Sequence, residues 1–267
     1  MTQAFFFFGE SRRAHLRSRS PVSTIYTTMN LIIVEDSDFV SPGCVRLRGR
    51  RALHIATVHR ARVGDVVRIG RIGGCIGTGT LTSQSPGVVE LEVRLTDPAP
   101  EPPQITMLLA LPRPKCFRRL LQAIVTFGIK RVAVFGAYRV EKSYWATPWL
   151  APEALQEKVL LALEQARDTT LPVISLHPEF KPFVEDVVPG LSQGTRRIVA
   201  HPGSLQPCPA NISEPVTLAV GPEGGFTQYE TDRLTGAGFE PVSLGARILR
   251  VEQAVPCLLG RILPLPA

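Results

Sequence analysis

Val216-Thr-Leu-Ala-Val-Gly-Pro-Glu-Gly-Gly-Phe-Thr-Gln-Tyr-Glu230 is the stretch on which the fold reading turns. Val216 to Val220 is a continuous apolar, β-prone run, the pattern of a strand covered on both faces. Gly221-Pro222-Glu223-Gly224-Gly225 stops it. Thr227 with Glu230 three residues later has the spacing of a capping box, so a helix is expected to follow. Strand, glycine turn and capped helix together present backbone N–H groups at the carboxyl end of a parallel sheet, where open α/β sheets bind ligands.

Working outward, the same alternation continues on both sides. Apolar strands are expected at Ile105–Leu111, Arg131–Phe135, Val173–Leu176, Arg197–Ala200 and Pro241–Leu244. Helices are expected at Lys115–Phe127, stopped by Gly128, and at Pro152–Arg167, with a last helix beginning near Glu252 and Pro256 in its first turn. This is the signature of an α/β unit around a parallel sheet. Three of its strand-end segments carry unusual chemistry: Ala200-His201-Pro202-Gly203, Gly221–Gly225, and Leu244-Gly245-Ala246-Arg247-Ile248-Leu249-Arg250, followed by Glu252. One glycine loop by itself reads as a tight turn. Three on one sheet edge, carrying an acid and two arginines, read as one pocket.

Residues 29–97 have a different rhythm. Short alternating runs and glycine-punctuated turns (Gly70, Gly73, Gly74, Gly77, Gly79) suggest a small β-barrel with a single helix over Ala52–Arg62. The glycine cluster is not G-x-G-x-x-G and precedes no helix, so a hairpin is the better reading. Pro-rich residues 98–104 form the linker to the second unit, 105–267. Residues 1–28, with Phe5 to Phe8 followed by Arg12, Arg13, Arg17 and Arg19, stand apart. They read as an organellar presequence or as the product of an upstream start codon, with Met29 the natural start.

The 267 residues carry a formal charge of +7, which favours an anionic partner without choosing between nucleic acid and membrane. No apolar run approaches the roughly 20 residues of a membrane span. The five cysteines are dispersed, as expected of reduced thiols in a cytoplasmic protein, and neither they nor the histidines have metal-ligand spacing. No metal is expected. There is no P-loop and no G-x-S-x-G nucleophile elbow.

The pair G-P-E-G-G-F-x-x-x-E and L-G-x-R-I-L-R-x-E, in that order, resembles the RsmE family of bacterial 16S ribosomal RNA (uracil-N3)-methyltransferases, of the SPOUT class. Weaker resemblance extends from Met29 onward, through His54, Arg60, Gly64-Asp65, Lys115 and His201-Pro202. It implies a C-terminal SPOUT-type trefoil-knot domain joined to an N-terminal PUA-like β-barrel. It also implies S-adenosyl-L-methionine as donor, 16S ribosomal RNA or the small ribosomal subunit as partner, and a homodimer. On that basis the donor site is expected at His201, Pro202, Gly221, Pro222, Glu223, Gly224, Gly225, Leu244, Gly245, Ile248 and Leu249. The chemistry falls to Arg247, Arg250 and Glu252. RNA contacts are expected from Arg46, Arg48, Arg50, Arg51, His54, Arg60, Lys115, Arg118 and Arg119, as salt-sensitive positioning contacts. The sequence departs from the family at Val251-Glu252-Gln253, where Thr-Glu-Thr is usual, at Thr126-Phe127-Gly128, at His59 and at Val140–Trp145. Two other readings stay open: an RNA-binding module of this fold that has lost activity, and a methyltransferase for another RNA position.

Overall fold

The structure is a computed structural model describing residues 30–58 and 60–264; the expectations for residues 1–28 and for His59 lie outside the described residues. Two six-stranded sheets form the molecule.

The first is built from β1 (Ile32–Val34), β2 (Phe39–Ser41), β3 (Cys44–Arg48), β4 (Val66–Arg71), β5 (Ile76–Ser85) and β6 (Val88–Asp97), with helix α1 (Gly49–Thr57) between β3 and β4. Alternation does the folding work here. In β3, Val45 and Leu47 are buried while Arg46 and Arg48 face solvent. The inward pair lies opposite Leu91 and Val89 of β6, closing a core with Ile55, Val67, Ile69 and Leu81. The glycine-rich segment forms the expected antiparallel hairpin, β4 on β5. Gly77 is required there, because a Cβ would sit 1.9 Å from the Arg94 carbonyl oxygen.

Two expectations need correction. The strand order is β1-β4-β5-β6-β3-β2, with no pairing of β1 to β2 among the described residues, so these pairings leave an open sheet where a closed barrel was expected. β2 is only three residues long and its register on β3 is irregular between Phe39 and Ser41, which leaves little edge to continue the ladder. In addition, α1 starts at Gly49, three residues ahead of the expected Ala52.

The second sheet contains β7 (Ile105–Ala110), β8 (Arg131–Phe135), β9 (Val173–His177), β10 (Arg196–Ala200), β11 (Val216–Val220) and β12 (Glu240–Val242), all parallel, in the order β12-β10-β11-β7-β8-β9. Every residue of β7 and of β11 is buried, which is why both read as unbroken apolar runs. The connecting helices are α2 (Pro114–Thr126), α3 (Pro152–Ala166), a short irregular stretch comprising α4 (Phe180–Pro182), a π-turn at Phe183–Val187 and α5 (Val188–Leu191), then α6 (Gln228–Gly236) and α7 (Val251–Ile262). The Thr227 box forms as expected: its hydroxyl accepts from the Glu230 N–H, and Glu230 accepts from the Thr227 N–H at 2.8 Å. Pro256 is a correction. Since α7 begins at Val251, Pro256 is its sixth residue, beyond the first turn, and the Glu252 carbonyl lacks its usual i+4 N–H partner.

The sheets are fastened to each other. Leu31, Ile33 and Ile76 of the first unit belong to the core of the second. The Leu31 N–H donates to the Glu164 carbonyl at 2.9 Å, and the Gly73 N–H to the Thr169 carbonyl at 2.8 Å. Arg50 of α1 grips the Glu164 carboxylate with both terminal nitrogens, each at 2.9 Å. The receiving turn is stiffened by Lys130, which donates to Asp168 at 2.6 Å and to the Thr170 carbonyl at 2.7 Å.

Candidate functional site

The strand order places the carboxyl ends of β12, β10 and β11 side by side, so the three segments singled out from the sequence rise from adjacent strands. Two of them share a cleft. His201, Pro202, Leu244, Gly245, Arg247 and Leu249 line it, with Ala254 and Leu258 of α7 as its floor, around about 360 Å³ of space open to solvent. The His201 N–H donates to the Val242 carbonyl at 2.8 Å, and the Cys208 N–H to the Ser243 carbonyl at 2.8 Å, so the 201–208 loop is stitched onto β12. Gly245 has φ +111°, a conformation that glycine alone adopts without strain. Ile248, expected in the cleft, is instead 85% exposed.

Gly221–Gly225 rises from the adjacent strand β11 and braces the neighbouring loops. The Glu223 carboxylate accepts the Arg113 N–H at 2.9 Å; Arg113 is the N-cap residue of α2, which has no side-chain cap of its own. Glu223 thus supplies negative charge at a helix N-terminus from more than a hundred residues away. Arg139, in the loop after β8, donates to the Gly224 carbonyl. Gly221 packs against the Phe226 ring, where a Cβ would come within 3.2 Å.

Arg247 lines the cleft. Arg250, exposed, is the N-cap residue of α7, its N–H facing the Gln253 side-chain oxygen at 3.4 Å. Gln253 thereby takes the reciprocal role that a capping box assigns to the third helical residue. Glu252 turns the other way, toward α2: the Cys116 thiol donates to its carboxylate at 3.4 Å. Its pKa lies below the usual carboxylate value, first because of a backbone N–H at the start of α7, then through Cys116, Arg250 and Arg119, against an opposing effect of burial. A carboxylate so held is a weak base and a good partner for cations. The Cys116 thiol is pushed up to about 12 by burial first and then by Glu252 and Glu223, so it is an unreactive donor rather than a nucleophile. Sequence reading missed Cys116; a lone cysteine in an amphipathic helix gives no signal of which distant carboxylate it meets.

The expected RNA contacts divide sharply. Arg51 chelates Asp38 at 2.5 and 2.8 Å and reaches the Ile33 carbonyl at 3.1 Å, Arg50 clamps Glu164, and Arg46 pairs with Glu90 at 2.8 Å. Arg118 lies 3.7 Å over the Trp149 ring, with its Nε buried and unbonded. These four hold structure. Arg48, Arg60, Lys115 and Arg119 are exposed and make no ion pair among the described residues. His54 is half-buried in α1. The split follows the local partner: Arg50 and Arg51 each have a largely buried carboxylate within reach, Arg46 a partly exposed one and Arg118 an aromatic face, and composition does not say where such partners lie.

A family model described as an RNA methyltransferase domain matches residues 99–263. The chain belongs to that family. Among sequence relatives, a ribosomal RNA small subunit methyltransferase E from Treponema pallidum is 27% identical over 235 residues, covering 85% of this chain and 87% of that protein. One of the same name from Synechocystis is 28% identical over 213 residues, covering 78% and 69%. These are the names the two motifs pointed to. In fold, the chain is similar to a ribosomal RNA small subunit methyltransferase E from Neisseria gonorrhoeae bound to S-adenosyl methionine, with a TM-score of 0.68 at 23% identity over 86% of this chain and 95% of that one. Among the described residues no helix is long and apolar enough to cross a membrane, and no cluster of ligating side chains has a metal-binding arrangement.

Proposed function

We propose that this RNA methyltransferase transfers the methyl group of S-adenosylmethionine to N3 of a uridine in 16S ribosomal RNA of the small ribosomal subunit. One observation carries the reading: Arg247, Arg250 and Glu252 follow the β12 loop in an unbroken run, so the cleft that fits the donor and the charges that fit uracil are two sides of one segment. The relatives' names support the substrate, and the solved relative bound to S-adenosyl methionine supports the donor.

The cleft residues fit that donor. Apolar Ala200, Leu244, Leu249 and Leu258 suit an adenine ring and the methylene groups of the methionine chain, and loop backbone supplies hydrogen-bond groups. No acid lines the cleft. When bound, the donor supplies an electrophilic methyl on a sulfonium. The protein's task is then to hold uracil N3 in line and to stabilise the charge that spreads onto the flanking carbonyl oxygens as the N3 proton passes to solvent water. Arg250, with Arg247 beside it, is the cationic donor to those oxygens, and such preorganised donors contribute about 3 kcal/mol each. Glu252 orients that cationic face from the α2 side. Its lowered pKa argues against its taking the proton.

RNA is positioned by Arg48, Arg60, Lys115 and Arg119, with residues 29–97 as a PUA-like docking unit, 98–104 as linker and 105–267 as a catalytic unit of trefoil-knot type. A cytoplasmic homodimer completes the reading. Calorimetric titration with S-adenosylmethionine tests it: saturable binding that Gly245→Val abolishes is expected. Absence of binding by the wild-type protein sinks the donor assignment.

A further inference from the structure

Away from the cleft, on the same edge of the second sheet, aromatic rings gather at the surface. Tyr138, in the loop after β8, is 84% exposed, and Tyr229, in the first turn of α6, is 57% exposed. With Phe180, Lys181, Thr227 and Glu230 they line a groove holding about 730 Å³ of open space, with walls almost wholly apolar. Exposed tyrosines of this size on an otherwise basic protein call for a partner with flat apolar faces and negative charge.

The groove is built rather than incidental. The buried Glu230 carboxylate accepts the Tyr138 N–H at 2.7 Å on one oxygen, and the Thr227 N–H at 2.8 Å and hydroxyl at 2.9 Å on the other. One carboxylate therefore fixes the loop bearing Tyr138 to the helix bearing Tyr229. Beneath lies a stack of phenylalanines: Phe135 faces Phe183 at 4.6 Å and Phe226 at 6.2 Å, with Phe180 at 6.2 Å. Lys181 lies in the groove wall, while Arg139, next to Tyr138, turns its guanidinium to the Gly224 carbonyl. Aromatic faces on a rigid floor, with a cation beside them, are a recurring means of holding unpaired bases and their phosphates.

Its place in the sheet suits an RNA whose target base lies against the Arg247–Glu252 segment beside the cleft. β8 is three strand positions from β10 in the order β10-β11-β7-β8, roughly 14 Å along the sheet edge, a distance that a few nucleotides of a single strand cover.

We infer that Tyr138 and Tyr229 form a stacking site for an unpaired base flanking the methylated nucleotide, with Lys181 against its backbone. The inference rests on the RNA methyltransferase reading and assigns this groove a role in gripping single-stranded RNA.

The test is fluorescence anisotropy with a labelled single-stranded RNA of about 12 nucleotides, run beside calorimetric titration with S-adenosylmethionine and sedimentation of each protein. Tyr138→Ala/Tyr229→Ala is expected to weaken RNA binding roughly 10- to 100-fold, and Tyr138→Phe/Tyr229→Phe, which keeps the ring faces, to stay within about twofold of wild type. Donor affinity and sedimentation should not change. Wild-type affinity in the alanine pair overturns the inference while leaving the methyltransferase reading intact. A shift of the alanine pair to a smaller sedimenting species also overturns it, because the groove would then belong to a contact between copies of the chain. Failure of the wild-type protein to bind either RNA or donor removes the underlying reading as well.

Discussion

Replacing Arg51 by alanine separates an architectural arginine from an RNA-binding one. Its guanidinium makes two bonds to Asp38 and one to the Ile33 carbonyl, and the side chain is 23% exposed against 8% for Asp38. Removing one partner of a buried, hydrogen-bonded pair costs about 3–5 kcal/mol, because the other charge is left uncompensated. Here the Asp38 carboxylate keeps one bond, from the Glu35 N–H at 2.8 Å, and water can enter where the arginine stood. The expected loss is therefore nearer 2–3 kcal/mol. In a chain of this size that lowers the melting temperature by roughly 4–10 °C. Arg51→Lys, a point charge without the planar fork, should recover only part of it. Urea denaturation followed by circular dichroism measures the loss, and RNA binding over a salt series measures the alternative. Stability within about 0.5 kcal/mol of wild type, together with a salt slope reduced by about one unit, would return Arg51 to the RNA surface and refute the argument.

Other outcomes follow from the same geometry. Gly136→Ala should cost about 3 kcal/mol or more in denaturant titration, since its Cβ would lie 1.8 Å from the Pro178 carbonyl oxygen and backbone must move. Cys116 should resist iodoacetamide at pH 8 while the exposed Cys75 and Cys257 react; peptide mass spectrometry showing equal labelling contradicts its raised pKa. Because the folded pKa of Glu252 is lowered from 4.5, its stabilising contribution is present above that pH and lost as pH falls through the lowered value. Glu252→Gln should accordingly flatten the acid limb of the stability profile in that window, and an unchanged acid limb would show that the carboxylate gains nothing from its setting. Thr227→Ala should cost about 1 kcal/mol through loss of the α6 cap, read as a shift in the denaturation midpoint.

Much of the second sheet was legible because both its central strands and its amphipathic helices carry their own periodicity. Val216–Val220 and Arg131–Phe135 run between the same residues in sequence and structure, and the Thr227 capping box formed as its spacing required. What escaped was long-range. Nothing local in Glu223 announces that it caps α2 through Arg113, and nothing in Glu230 beyond its box announces that its second oxygen takes the Tyr138 N–H. The arginines were the hardest, since Arg48 and Arg51 look alike in sequence and differ only in whether an acid is buried within reach. Pro256 was misplaced because even a start at Glu252 makes it the fifth helical residue, already past the N-terminal groups that lack intrahelical partners. The glycine loop is legible as a strand-to-helix turn, whereas its bracing contacts to Arg113 before α2 and to Arg139 after β8 are long-range and were not.

Methyl transfer to uracil N3 is open to direct measurement. Purified wild-type and Arg250→Ala proteins are incubated with unmodified 16S ribosomal RNA or small subunits and S-adenosylmethionine, and the RNA is digested to nucleosides for mass spectrometry. The account predicts 3-methyluridine with the wild-type protein, and formation roughly 100-fold slower or more with Arg250→Ala at saturating donor. A methyl group on any other atom, or an Arg250→Ala rate equal to wild type, contradicts it.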